Sequence, residues 1–206
     1  IKKLMNINKI KSSNTLIVGL GNRYVTPDAL GPKTIPKVLV TRHIMDTISQ
    51  DINGQVSTVC AISPGVMGIT GIETGDIIKG ITEQINPDLI IAIDALAARK
   101  FSRINATIQM SDIGITPGAG VGNKRMALNT ETLGIPVIGI GVPTVVDAAT
   151  LVNDTLDRIL DDMIASAKKG TEIYKMLENL DSDEKYQLIT EILTPYAGNM
   201  FVTPKE

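Results

Sequence analysis

Two aspartates lie at positions in the sequence where a carboxylate can take part in catalysis. Asp28 lies in the turn-rich stretch 26–32, Thr-Pro-Asp-Ala-Leu-Gly-Pro, and Asp94 directly follows the apolar run 89–93, Leu-Ile-Ile-Ala-Ile. Burying a carboxylate at the end of a strand costs desolvation free energy unless another group pairs with it or it takes part in the function of the protein. Ligands and chemistry collect in loops beyond the carboxyl ends of strands in open α/β sheets. The two positions therefore predict a hydrolytic site built from carboxylates.

Paired carboxylates suggest acid–base chemistry. Two carboxyl groups a few ångströms apart do not both ionise easily, so one of them holds a proton. The ionised group can take a proton from water while its neighbour protonates the carbonyl oxygen or the leaving amine. Each acid also has a structural interpretation, Asp28 as a turn or capping residue above all. Asp112, which follows a predicted strand, is a weaker third candidate.

Alternating strands and helices are expected to position these acids. Short apolar runs predict strands over 15–21, 56–62, 89–94 and 137–141, with an edge or antiparallel strand over 106–111. Helical periodicity or capping signals predict helices over 33–50, 74–85 and 148–167. This order favours a three-layer α/β/α fold with a mostly parallel central sheet, plus C-terminal helices. We expect the strands before Asp28 and Asp94 to be neighbours, which would bring their loops together.

The chain is expected to form one domain. Residues 1–206 are predicted to be a single α/β domain, with a lead-in over 1–14 and a helical part over 168–206. The chain opens at Ile1 and closes on Thr203-Pro204-Lys205-Glu206, the pattern of a helix start. We therefore expect a fragment of a longer protein.

Glycine-rich segments offer a rival, non-enzymatic interpretation. The turn 19–21, Gly-Leu-Gly, lacks the third glycine of a dinucleotide fingerprint, because Tyr24 stands in its place. The loop 117–125 contains Gly118 and Gly120 but lacks the residues that a Walker A motif needs around Lys124. This loop can hold an extended peptide or an oxyanion, or be purely structural. A nucleotide-binding or small-molecule-binding α/β module is thus an alternative to a hydrolase.

Composition excludes several other classes of protein. With 20 basic and 22 acidic residues, 3% aromatics and no Trp, the chain shows no footprint for nucleic acid. Its single histidine, His43, and single cysteine, Cys60, do not make an ordinary zinc site or an internal disulfide. No apolar run is long enough to span a bilayer. We expect a soluble, cytoplasmic protein.

At these residues the sequence resembles the spore germination protease family. The resemblance is carried in order by the segments Gly19–Asn22, Thr26–Pro32, Ile91–Arg99, Thr107–Ile115, Pro117–Asn123, Gly141–Asp147 and Val202–Glu206. It implies an endopeptidase that degrades small acid-soluble spore proteins in the spore core, made as a zymogen and assembled as a homotetramer. It implies Asp28 and Asp94 as the catalytic pair. We expect no cofactor and no metal at this site, and neither nucleic acid nor membrane as a direct partner.

The resemblance leaves two matters open. The family's fold is similar to that of hydrogenase-maturation peptidases, in which acids at comparable loops bind a metal, so a metal-dependent peptidase using the same two acids is an alternative. The family cleaves after glutamate, which implies a cationic subsite. The cationic groups closest in sequence to the site are the candidates: Arg99, Arg103, Lys124 and Arg125. We expect one of them to pair with the substrate glutamate, because a carboxylate is best held by a guanidinium. Arg99 can equally serve to stabilise the ionised form of Asp94.

Overall fold

The computed structural model describes residues 1–8, 10, 13–45, 56–123, 125–166, 181–197 and 200–204, without the side chain of Ser182. The chain divides into two compact units. The first comprises Ile1–Leu96 and Thr107–Val142, and the second comprises Ala97–Ala106 and Pro143–Glu206. Both candidate aspartates belong to the first unit. That residues 1–206 act as a single domain stays a prediction.

The described strands form one sheet. They are β1 (Asn14–Gly19), β2 (Thr58–Ile62), β3 (Leu89–Ala98), β4 (Gln109–Ser111), β5 (Val137–Asp147) and β6 (Phe201–Val202). Their order is β2-β1-β3-β5-β4, with β6 paired to β5. Strand β1 is parallel to both β2 and β3, whereas β4 and β6 are antiparallel to β5. The α/β fold with a mostly parallel central sheet is confirmed, and so are the antiparallel edge strand β4 and the pairing of β1 with β3.

Helices connect these strands. They are α1 (Lys2–Ile7), α2 (Leu30–Thr34), α3 (Met67–Thr70), α4 (Thr74–Ile85), α5 (Thr130–Leu133), α6 (Ala148–Ser166) and α7 (Ser182–Ala197). Short 3-10 turns occur at Thr26–Asp28, Ile35–Lys37, Arg42–Ile44, Phe101–Arg103 and Ala119–Val121. None of the helices in the described ranges has the length and hydropathy that a bilayer crossing requires.

The first unit is layered because β1 and β3 alternate between two apolar faces. On one face Leu16 and Ile90 pack in a buried cluster that includes Ile78 of α4. On the other face Leu89 and Ile91 form a second cluster, and the residues packed against it include Leu4 and Met5 of α1. Since side chains of successive strand residues point to opposite faces, helices cover both sides of the sheet. The expected α/β/α layering is present in this unit.

The second unit contains the two long helices. Helix α6 begins after Asp147, whose Oδ1 accepts the Thr150 N–H at 2.8 Å. Asp147 thus caps the N-terminus of this helix. Helices α6 and α7 contact each other, and an ion pair joins Asp157 to Lys185.

The predicted helix over 33–50 is wrong where the structure describes it. The chain instead forms α2, a 3-10 turn at Ile35–Lys37, extended backbone at Val38 and another 3-10 turn at Arg42–Ile44. Pro36 lacks the N–H that a continuing helix would need and occupies the start of the second turn. Residues 46–50 of the prediction lie outside the described residues.

Candidate active site

The strand register brings the two aspartate segments to one edge of the sheet. In the parallel pair of β1 and β3, Gly19 lies opposite Ile93, one position before Asp94. The Leu20 N–H then donates to the Ile93 carbonyl at 2.8 Å, which extends the pairing just beyond β1. The segment that leads to Asp28 therefore leaves the sheet beside Asp94.

Two glycines allow the segment after β1 to fold back and place α2 in close contact with β1 and β3. A Cβ added at Gly31 in α2 would lie 2.2 Å from the Leu20 carbonyl oxygen and 2.6 Å from that of Ile93. A Cβ added at Gly19 would lie 2.4 Å from the Gly31 carbonyl oxygen. No side chain fits at either position, so the backbones of α2, β1 and β3 are in direct contact. This contact places α2, which follows the Thr26–Asp28 turn after one residue, against β3 at Ile93.

The carboxylate of Asp28 is held by the turn that follows β1. The Asn22 N–H donates to Asp28 Oδ2 at 2.7 Å, and the Asp28 N–H donates to the Val25 carbonyl at 2.8 Å. Gly21 has a φ of +108°, and a Cβ there would lie 2.1 Å from the Asp28 carbonyl oxygen. Burial raises the pKa of Asp28, and the Asn22 N–H, which stabilises the carboxylate form, opposes that rise.

Asp94 lies within β3 and is only 5% exposed. Its Oδ1 accepts the Ala95 N–H at 2.9 Å. Burial is the main cause that raises the pKa of Asp94 to about 7; the charge of Asp28 adds to the rise and the Ala95 N–H opposes it. The charge of Asp28 thus acts on the carboxyl group of Asp94 and favours its protonated form. Below about pH 7 Asp94 is therefore mostly protonated, while the Asn22 N–H favours the carboxylate form of Asp28.

The donor set at this edge consists of two carboxyl groups. Within the parts of the chain that the structure describes, no group of three or more His, Cys, Asp or Glu side chains is placed to hold a metal ion. A hard cation bound here would have to displace the proton of Asp94 and take its remaining ligands from water or backbone carbonyls. The third candidate acid, Asp112, is exposed, and its Oδ2 accepts the Asn8 side-chain N–H at 2.7 Å. Asp112 thus fastens the end of α1.

The glycine loop 117–125 is closed largely upon itself. Gly118 has a φ of +71°, and a Cβ there would lie 2.1 Å from the Asn123 carbonyl oxygen, so Gly118 is required by the turn. The N–H groups of Asn123 and Arg125 donate to the carbonyls of Gly118 and Pro117. The glycine turn and these internal hydrogen bonds give the loop a structural role. Substrate binding by Gly118 and exposed Gly120 stays a prediction. Lys124 lies outside the described residues.

The candidate cations fall in different parts of the molecule. Arg99 and Arg103 are exposed and belong to the second unit. The 3-10 turn that ends at Arg103 is fastened by the Phe101 N–H, which donates to Asp154 Oδ2 at 2.7 Å. Arg125 belongs to the first unit, where its Nη1 lies 3.9 Å from the sulfur of Met67. Substrate binding by each of these arginines stays a prediction.

No role in the site was predicted for Asn22 or Gly21 from the sequence. The Gly-Leu-Gly pattern indicated only a tight turn. The acceptor of the Asn22 N–H is Asp28, which lies six residues later and reaches Asn22 only in the folded chain. His43 is exposed in a 3-10 turn, and Cys60 lies half-buried in β2, where burial raises the pKa of its thiol. Neither residue thus has the surroundings of an activated nucleophile or base.

Comparison with known proteins identifies relatives along most of the chain. A family model described as "Germination protease" matches residues 1–177. The chain is 57% identical over 206 residues to the germination protease of Clostridium tetani, covering all of this chain and 64% of that protein. It is 48% identical to the germination protease of Bacillus subtilis, covering 98% of this chain and 63% of the relative. The chain thus spans less than two thirds of the length of these curated relatives.

Among solved structures, the chain is similar to a [NiFe] hydrogenase maturation protease, HycI, from Thermococcus kodakarensis. The TM-score is 0.39 at 17% sequence identity, and the match covers 92% of this chain and 99% of HycI.

Proposed function

Since this chain belongs to the germination protease family, we propose that it carries the active site of an endopeptidase in which Asp28 is the general base and Asp94 the general acid. The observation that carries this proposal is the buried Asp94, whose pKa is raised to about 7 by burial and by the charge of Asp28. A pKa near the working pH is what acid–base catalysis needs. Strongly perturbed acids in contact with a specific charged partner are also frequent at active sites.

The proposed reaction follows from the two environments. The Asn22 N–H stabilises Asp28 as the carboxylate, which takes a proton from a water molecule as the water oxygen bonds to the carbonyl carbon of the substrate. Asp94 gives its proton to the carbonyl oxygen. As the C–N bond breaks, the amine leaves with the proton that Asp28 took, and the proton on the oxygen returns to Asp94 as the carboxylic acid forms. The pair is thus restored, without a covalent intermediate.

We extend the proposal to the substrate and setting that the family resemblance implies. The substrates are small acid-soluble spore proteins, cleaved in the spore core during germination. Zymogen control and assembly as a homotetramer are proposed for the natural full-length protein. Support comes from the family match and from the relatives named as germination proteases.

The nucleotide-binding alternative is less well supported by the geometry. A phosphate-binding turn needs glycine faces that a ligand can approach. Here the face of Gly19 is filled by Gly31 and Ile35, and the face of Gly21 is filled by Asp28. The loop 117–125 uses several of its N–H groups internally. The metal-dependent alternative uses the same two acids. The effect of a chelator on activity distinguishes it from the metal-free mechanism.

The test is cleavage of a purified small acid-soluble spore protein by the protein in its full natural length. Wild type, Asp28→Asn and Asp94→Asn are compared with and without a strong chelator, and Asp112→Asn serves as the matched control. We expect kcat to fall at least about 1000-fold in both site variants, by analogy with triad deletions. The control and the chelated wild type should retain activity. Activity that the chelator abolishes and a metal restores would favour the metallopeptidase, and full activity in either site variant would remove that residue from the mechanism.

A further inference from the structure

The pairing of the strands extends the row that contains Asp94 across the sheet to β4. Strands β3 and β5 are neighbours, and the Ile90 N–H donates to the Pro136 carbonyl at 3.0 Å. In a parallel pair this bond sets Ile90 opposite the residue after Pro136. Four positions further along both strands, Asp94 then lies opposite Gly141. Since Gly141 is paired with Gln109 of β4, the residues Asp94, Gly141 and Gln109 form one row across three adjacent strands.

The side chains of this row belong to the same face of the sheet. Successive residues of a strand alternate between the faces, whereas residues opposite each other in adjacent strands share a face. A Cβ added at Gly141 would lie 2.3 Å from Leu96 Cδ1, and Leu96 shares the face of Asp94 because it lies two positions later. The contacts between β3 and β5 thus advance together along both strands, as parallel pairing requires. Gln109 therefore lies on the face of Asp94.

The glycine in the middle of this row leaves no side chain of its own between the two polar residues. Adjacent strands are about 4.8 Å apart, so the backbones of Asp94 and Gln109 are separated by about 10 Å. Leu96 covers Gly141 and is half-buried. The two polar side chains and two hydrogen bonds of about 2.9 Å to a shared oxygen atom can together span such a separation. A peptide carbonyl placed above Leu96 can therefore contact both residues.

The side-chain amide of Gln109 is available for such a contact. Gln109 is half-buried, and among the residues that the structure describes its amide has no hydrogen-bond partner. Partly buried amides are usually paired, because an unsatisfied donor loses its bonds to water. The amide donates N–H bonds in the same way at every pH at which the protein is folded, since it does not titrate there. A ligand oxygen is the acceptor that this position lacks.

The arrangement of the row indicates which ligand oxygen that is. The Asp28 segment leaves the sheet on the β1 side of Asp94, whereas Gln109 lies on its β5 side. In the proposed reaction the attacking water is held by Asp28, and the carbonyl oxygen takes its proton from Asp94. The carbonyl oxygen is thus expected on the side of Asp94 that is away from Asp28. Gln109 lies on that side.

We propose that Gln109 is a third catalytic residue, whose side-chain N–H donates to the carbonyl oxygen of the bond that Asp28 and Asp94 cleave. This inference rests on the proposed peptidase function. As the water oxygen bonds to the carbonyl carbon, an electron pair of the C=O bond moves onto the oxygen, and the Gln109 N–H stabilises that charge while the proton of Asp94 is transferred. Gln109 itself gains and loses no proton. Fixed donors directed at a developing oxyanion stabilise the transition state more than the ground state.

The test separates transition-state stabilisation from substrate binding. Gln109→Met keeps the length of the side chain and removes its donor, and Met110→Leu on the opposite face of β4 is the matched control. The natural full-length protein is assayed for kcat and KM on a peptide from a small acid-soluble spore protein. The Kd of a difluoroketone analogue of the same peptide, whose hydrate resembles the tetrahedral intermediate, is measured by calorimetry. We expect Gln109→Met to lower kcat about 100-fold with KM within about threefold, and to weaken ketone binding by about the same factor as kcat. The control should stay within about twofold in all three quantities.

Several outcomes would overturn the role of Gln109. An unchanged kcat in folded Gln109→Met would remove it from the reaction while leaving the aspartate pair intact. A higher KM with unchanged kcat would make it a substrate-binding residue only. An equal loss in Met110→Leu would attribute the effect to the structure of β4. If wild type does not cleave the peptide, the peptidase proposal fails separately; ketone binding then decides, and equal affinities in wild type and Gln109→Met, or no binding by wild type, would overturn the inference.

Discussion

Gly21 is the position where a single methyl group should disturb the site most directly. Gly21→Ala would place a Cβ 2.1 Å from the Asp28 carbonyl oxygen and 3.0 Å from Asp28 Oδ1. The first distance is far below van der Waals contact and involves backbone, which has no flexible end to move away; the second is a tight contact. The residue also has a φ of +108°, in the region that side chains avoid. The Asp28 turn therefore has to shift.

The size of the effect follows from these contacts. Backbone strain at such a φ costs about 1–3 kcal/mol. The hydrogen bond from Asn22 to the Asp28 carboxylate is 2.7 Å long, and a charge-assisted bond of this kind is worth roughly 1.5–3 kcal/mol. We expect the free energy of unfolding to fall by about 3 kcal/mol. A displacement of a catalytic group by about 1 Å costs on the order of 100-fold in rate.

The assay combines urea unfolding with a pH profile of kcat/KM. Gly80→Ala is the matched control, because a Cβ there meets nothing within 4 Å on the helix α4. The control should be neutral or slightly stabilising. In Gly21→Ala the limb of the profile that reports Asp94 should shift to lower pH as the charge of Asp28 moves away. A folded Gly21→Ala protein with kcat/KM within about threefold of wild type would refute the placement of Asp28 by this turn.

Three further predictions concern stability. In the folded protein the pKa of Asp94 is raised from 3.8 to about 7, so protonated Asp94 stabilises the fold fully below its unfolded-state pKa. This stabilisation, up to about 4 kcal/mol, is lost as pH rises through the folded-state pKa. Asp94→Asn should therefore unfold at higher urea than wild type at pH 8 but not at pH 4, and an equal difference at both pH values would contradict this. Gly31→Ala, with a Cβ 2.6 Å from the Ile93 carbonyl oxygen, should lower the unfolding free energy by at least about 2 kcal/mol by calorimetry; a Tm equal to that of wild type would contradict the close backbone contact. Asp147→Ala removes the cap that accepts the Thr150 N–H and should cost about 0.5–2 kcal/mol, whereas an unchanged urea midpoint would show that the bond contributes nothing.

The central strands could be predicted from sequence because their signals are strong and local. The apolar run before Asp94 is largely buried in β3, and the run 15–19 is largely buried in β1. Parallel strands covered by helices on both faces need such continuous apolar runs. The neighbourhood of β1 and β3 then followed from the usual architecture of α/β sheets.

The errors occurred where local signals competed. The apolar spacing over 33–50 indicated a helix, but Pro36 ends α2 within two turns, and Leu39, an apolar residue within that range, is exposed. Strand β5 was expected to end at residue 141 but continues to Asp147 through Pro143, a residue that ordinarily interrupts strands. In the second case pairing with a neighbouring strand outweighs the local preference, which sequence spacing does not reveal.

The acids of the site were visible in the sequence, but their environments were not. The 2.7 Å bond from Asn22 to Asp28 joins residues six positions apart only because the turn at Gly21 folds back. The close approach of α2 to the carbonyl of Ile93, the residue before Asp94, requires glycine at position 31. Such close approaches depend on tertiary packing, and a sequence shows only that small residues are available for them.

The most direct test of the central claim is a titration of the two carboxyl groups by NMR, with ¹³C-labelled aspartate, in wild type and in Asp28→Asn. It reports the proton of the pair whether or not the sample cleaves a substrate. The account predicts that Asp94 titrates at about pH 7 in wild type. In Asp28→Asn its pKa should fall, because the neighbouring charge is gone, but remain above the ordinary value of 3.8, because burial persists. An Asp94 that titrates near 3.8 in wild type, or whose pKa is the same in both proteins, would contradict the coupled pair on which the proposed mechanism depends.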